Sequence, residues 1–324
     1  MVRPSLAKTT DSSCSTASTA AGETLAGSAP STRTWLVIEY APSWGANALD
    51  ALPAGLGAHI TDASASTPLR IVLARRPGAP HDRSESLVRR VWIGHTDPQR
   101  AQLSGGQEID LRHLLDWDFS AIAQGELPAL DSISDPLHLL CTNGGRDACC
   151  ATLARPLLRS LPALPTLWEC SHLGGHRFAP TMLTLPSGYL HGRLTARATT
   201  DQIVASREGC VLLHGLRGRS WLSPPAQVAE IAVRTAADVH GVEDLRVDDP
   251  AIDDRALADA INPGTGAESD RDDAVSIWVQ HRDGRRWSVE VVRRVEGAVR
   301  PLSCGAGSEP LQTWHATGLR LIST

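Results

Sequence analysis

The chain has 324 residues, 42% of them hydrophobic and 21% charged, proportions ordinary for a soluble globular protein and enough for two or three domains with a sizeable core. The net charge of −5 argues against a nucleic-acid surface, because phosphate recognition needs clustered basic excess, and no run of about 18 apolar residues is present to cross a membrane. Arginine supplies nearly all the positive charge, with Lys8 the lone lysine. Seven cysteines, grouped rather than evenly spaced, do not resemble a secreted disulfide frame and point to a reducing, cytoplasmic compartment.

The first 33 residues are rich in Ser, Thr, Ala and Gly without an apolar signal core, and are expected to form a disordered tail. An N-terminal α/β region follows over 34–130. TWLVIEY opens it as a buried strand, GANALDALPAGLGAHI reads as a short helix interrupted at Pro53, and 68–76 and 89–96 read as two more strands. No ligand-type cluster stands out there, and His59, His81, His95 and His113 are expected at the surface.

The second unit, 131–222, has the clearest order. LHLLC is a strand, and CCATLARPLLRSL is a helix interrupted or kinked at Pro156. TLWECSH is the next strand, MLTLP and GYLHGRL form a hairpin about Ser187-Gly188, and ATTDQIVASREG is a helix capped at its Thr-Thr-Asp start. The order β-α-β-β-β-α is that of a thioredoxin-like fold. The last region, 223–324, combines a helix over PPAQVAEIAVRTAADVHG with a β-hairpin turning at Asp283-Gly284. No internal repeat of fixed period is visible. The fold class is therefore α/β (α+β), a thioredoxin-like domain flanked by two α/β regions.

Two thiols and two imidazoles fall at the ends of neighbouring β-type segments in the second unit. Cys141 and Cys150 flank a loop holding Gly144 and Gly145, which lets backbone wrap closely round a bulky inorganic core. His172 and His176 are four apart, but Gly174-Gly175 between them favours a loop over a helix. Such a set suits a metal ion or an iron–sulfur cluster.

The stretch CTNGGRDACC…WECSHLGGHRFAPTMLTLPSGYLHGRL resembles the sucrase/ferredoxin-like family, a branch of the thioredoxin-like [2Fe-2S] ferredoxins, and WLVIEYAPSWGANAL resembles that family's opening segment. The resemblance spans most of 34–222. It implies a [2Fe-2S] cluster held by Cys141, Cys150, His172 and His176, with the two histidines where other thioredoxin-like ferredoxins place two cysteines. Cys149 competes with Cys150, which is preferred for its spacing from Cys141. Arg146 and Asp147 are candidates for bracing the loop, and Arg146 for offsetting cluster charge. Cys170 lies on the same strand face as His172, where a small buried thiol is the plainer reading.

The function expected from this set is one-electron transfer at a relatively high, proton-coupled potential, by a carrier rather than a catalyst. Separate, unidentified redox proteins must then donate and accept the electron, because no G-x-G-x-x-G dinucleotide loop is present. Sugar hydrolysis is not expected, since no motif sets two carboxylates across a site. A structural zinc site on the same ligands and a thiol-based oxidoreductase are the rivals. Cys304 and His315 carry no assigned role beyond surface or packing.

Overall fold

The computed structural model describes residues 13–53, 55–79, 86–249 and 274–323; His81 and residues 1–12 lie outside them. The apolar runs TWLVIE and LHLLC become strands that are buried along almost their whole length, with alternate side chains feeding cores on opposite sheet faces. Trp35 and Val37 enter one core while Leu36 and Ile38 enter the other.

After a short helix α1 (Cys14–Ala20), the chain makes β1 (Thr34–Glu39), α2 (Leu56–Ser64), β2 (Leu69–Arg75), β3 (Val88–His95), β4 (Gln102–Asp110) and α3 (Phe119–Ala123). A two-residue strand β5 (Ser132–Ile133) then leads to β6 (Leu137–Cys141), α4 (Ala148–Ser160), β7 (Leu167–Cys170), β8 (Met182–Leu185), β9 (Tyr189–His191) and α5 (Ala196–Arg207). With β10 (Leu216–Arg219) added at one edge, the strands form one sheet in the order β10-β9-β8-β6-β7-β2-β1-β3-β4-β5.

The β-α-β-β-β-α order therefore occurs twice. In each copy the first two strands are parallel and the third and fourth return antiparallel, giving the spatial orders β2-β1-β3-β4 and β7-β6-β8-β9. The copies join where β2 meets β7 antiparallel, through Ala74↔Cys170 and Arg75↔Glu169 only, so the carboxyl ends of both parallel pairs converge on the junction. Ser171 extends it, its N–H donating to the Leu73 carbonyl at 2.8 Å. Trp92 meets Trp168 edge-on at 4.8 Å, and Arg75 pairs with Glu169 at 3.1 Å while lying over Trp44.

Residues 13–33 are not a disordered tail. Ser13 caps α1, and the segment after it runs beside β10, with Gly27 N–H donating to Arg217 O and Thr32 N–H to Ser220 O. Its Ala29 joins the core that holds Trp35 and Val37 and donates its N–H to the Gln227 side chain of the following helical region.

The C-terminal part is larger than a helix and a hairpin. Helix α6 (Pro224–Ala237) packs on a second, four-stranded antiparallel sheet of β11 (Leu245–Asp248), β12 (Ala274–His281), β13 (Arg286–Pro301) and β14 (Ser308–Ser323). The buried cluster of Tyr189, Glu230 and Arg234 ties α6 to the large sheet, with Tyr189 O–H donating to Glu230 at 2.5 Å and Arg234 to Glu230 at 3.0 Å. Two local expectations also change. The cap of α5 is Thr195, whose side chain accepts the Ala198 N–H. His95 is buried and hydrogen-bonded to Thr34 Oγ1 at 2.8 Å rather than exposed.

Candidate metal centre

Cys141 is the buried last residue of β6, and the chain leaves it at the convergent carboxyl ends of the parallel strands. Thr142 to Asp147 turn back into α4, and Asn143 organises the turn. Its carbonyl accepts from Arg146 and Asp147, its side-chain oxygen accepts from Gly145, and its amide donates to Gly45 O at 3.1 Å. Gly145 is required, since a Cβ there would lie 2.6 Å from the Trp44 carbonyl oxygen. The APSWGAN segment of the N-terminal copy thus braces the cysteine loop of the other copy.

Asp147 caps α4 by accepting the Cys149 N–H at 2.9 Å, which sets Cys149 and Cys150 in the first helical turn pointing to different sides. Cys150 turns inward, and the sulfurs of Cys141 and Cys150 with a ring nitrogen of His172 lie within 4.8 Å of one another. His172 follows β7 in a loop and His176 opens a single 3-10 turn (His176–Phe178), so the two are not on one face of an α-helix. Gly174 and Gly175 both have positive φ, and a Cβ on Gly175 would strike the Arg217 guanidinium. The turn brings the two imidazoles to a centroid distance of 5.2 Å. His176 Nε2 faces Asp147 at 3.7 Å, while the Nδ1 atoms of both histidines are buried without a hydrogen-bond partner. A buried nitrogen without a partner is costly, and a bound metal would satisfy it.

The electrostatics favour ligation. Hydrogen bonding from Cys150 and the neighbouring His172 hold the Cys141 thiol well below its ordinary pKa despite burial, whereas donation to Cys141, together with burial, pushes Cys150 up. A cation bound to both sulfurs would favour the thiolate form of each and displace the remaining thiol proton. Burial lowers His176 and keeps its imidazole neutral, the form in which it ligates, against the opposing pull of Asp147.

Among the other candidates, Asp147 does brace the loop. Burial would raise it, but the N–H groups of Cys304 and Cys149 hold it below the usual carboxylate range. Arg146 is exposed and Asn143 does the remaining bracing. The cations in reach of Cys141 are Arg70 and Arg217, neither marked by any motif. Burial lowers them to about 10 and about 9, and the Cys141 sulfur opposes the shift in both. Arg217 is fully buried and donates to Gly174 O at 3.0 Å and to Ser28 O. Cys170 is a core thiol that sits opposite Cys141 across β6–β7 and whose burial raises its pKa. Cys149 points away from this centre, towards Cys14 and Cys304.

Residues 25–218, more than half of the chain, match the sucrase/ferredoxin-like family. No curated protein and no solved structure matches the chain. No helix among the described residues is long and apolar enough to cross a membrane.

Proposed function

Because the chain belongs to the sucrase/ferredoxin-like family, we propose that it is an electron carrier holding a [2Fe-2S] cluster on Cys141, Cys150, His172 and His176. The observation that carries this reading is the cluster of the Cys141 and Cys150 sulfurs with a ring nitrogen of His172, the His176 imidazole lying beside that of His172 at 5.2 Å rather than in the cluster itself. When bound, such a cluster takes up and gives back one electron.

The chain's own residues would set how easily it does so. Two thiolates and two neutral imidazoles bring less negative charge than four thiolates, which raises the potential from about −400 mV into the range of about −150 to +300 mV. Arg70 and Arg217 favour the extra negative charge of the reduced form. With Nδ1 turned to the cluster, Nε2 of His176 is left facing Asp147, where the imidazole keeps a proton to exchange. Reduction that draws in a proton makes the potential fall as pH rises.

A thiol oxidoreductase is less well supported, since Cys141, the thiol with the depressed pKa, is only 1% exposed and cannot meet a disulfide substrate. Free thiols throughout fit a reducing compartment. Potentiometric titration of the protein between about pH 6 and 9 tests the reading. A potential above about −150 mV that falls with pH is expected, and a flat potential near −400 mV would rule out histidine ligation.

A further inference from the structure

Beside the first centre lies a second group of thiols drawn from three distant parts of the chain. Cys14 is on α1, Cys149 in the first turn of α4 and Cys304 in the turn between β13 and β14. Their sulfurs form a closed triangle, 3.5 Å from Cys14 to Cys149, 3.2 Å from Cys149 to Cys304 and 3.6 Å from Cys304 to Cys14. Both carboxylate oxygens of Asp147 lie 3.7 Å from the Cys14 sulfur, and all four residues offer ligand atoms within 4.8 Å of one another.

We propose that Cys14, Cys149 and Cys304, with Asp147, form a second metal centre that binds one divalent, thiophilic cation of the zinc class. The spacing decides between one ion and a cluster. Thiolates bound at about 2.3 Å in a tetrahedral array are about 3.8 Å apart, close to the observed triangle, whereas a polynuclear core separates its cysteine sulfurs further. No disulfide joins any of the three. Without a cation the group is poorly matched, because Cys14 and Asp147 are buried, the thiols can only donate weakly to one another, and burial raises the pKa of both Cys14 and Cys304. A divalent cation converts the three thiols to thiolates and releases their protons to solvent.

The surroundings suit a structural rather than a catalytic ion. Asp147 is positioned from both sides, accepting the Cys149 N–H at 2.9 Å and the Cys304 N–H at 2.8 Å. Cys14 and Cys149 are buried, so four protein ligands close the site. The ion would cross-link α1 and the C-terminal sheet to α4. The chain just after α1 also meets β13 through Glu23, which pairs with Arg300 at 2.9 Å and with Arg177, next to His176, at 2.7 Å. This centre shares no sulfur with the first, and Asp147, which also faces His176 Nε2 at 3.7 Å, is the residue common to both.

The test is metal analysis of the full-length protein purified from zinc-supplemented medium, alongside Cys304→Ser, Cys14→Ser and Cys141→Ser. About one zinc per chain is expected in the wild type. Cys304→Ser and Cys14→Ser should weaken zinc retention against a chelator at least tenfold while any iron and visible colour persist, and Cys141→Ser should keep its zinc. Absence of zinc from the wild type, or zinc lost with Cys141→Ser but held by Cys304→Ser, overturns the proposal. Should the variants fail to fold, cobalt exchange into the wild-type protein reads the same site. A thiolate-to-cobalt charge-transfer band sized for three sulfurs supports it, and a band sized for two or none rejects it.

Discussion

Two adjacent cysteines with different destinations give the site its character. Cys150 turns to Cys141 and Cys149 to Cys14 and Cys304, because neighbouring positions on a helix are about 100° apart and α4 starts at a fixed point, the Asp147 cap. At this scale the motif was informative about the first centre, since its cysteines and histidines lie in two short stretches with glycines that require loops. It was silent about Arg70 and Arg217, which reach the site only through tertiary folding. Removing the Arg70 charge should disfavour the added electron, so Arg70→Met is expected to lower the cluster potential by on the order of 40 mV, about 1 kcal/mol for a one-electron couple, with Arg70→Lys restoring most of it. A potential unchanged in Arg70→Met, read by the same titration, would remove this residue from the electrostatic account.

At the scale of elements, strands over 68–76 and 89–96 and the hairpin about Ser187-Gly188 were legible from apolar runs and turn chemistry, and they form at 69–75, 88–95 and 182–191. The order of 13–33 was not, because small residues with little apolar content are held there by hydrogen bonds to a sheet edge that only the folded chain supplies. Strands β6 and β9 also bury a histidine each. Burial lowers His138 to about 3 and His191 to about 4, from an ordinary value near 6.5. Below about pH 6.5 the unfolded chain binds protons that the folded chain refuses, so stability is lost as pH falls from there towards 4. The slope is about 1.4 kcal/mol per pH unit for each histidine. Denaturant midpoints at pH 7, 6 and 5 should show this decline, with His138→Gln removing about half of it; midpoints independent of pH would contradict the burial of both rings.

At the scale of the whole molecule, the large sheet is built on a duplicated β-α-β-β-β-α unit with a division of labour. Among the described residues the second copy carries the proposed cluster ligands, while the first supplies the Trp44–Gly45 support and half of the junction. The duplication escaped the sequence because the copies share a topology and an apolar pattern rather than a residue motif, and strand order is not written in periodicity. The reach of α1 and the C-terminal sheet to Asp147 was equally hidden, since Cys14, Cys149 and Cys304 have no common spacing. Together these parts would enclose a redox centre at the junction of the two copies. The most direct measurement of that claim is iron and acid-labile sulfide analysis of anaerobically purified protein, followed by electron paramagnetic resonance after dithionite reduction. A red-brown protein with about two irons and two sulfides per chain, and a reduced signal whose average g lies below the free-electron value, is the expected result. A colourless protein without iron, or one carrying zinc on Cys141, Cys150, His172 and His176, would contradict it.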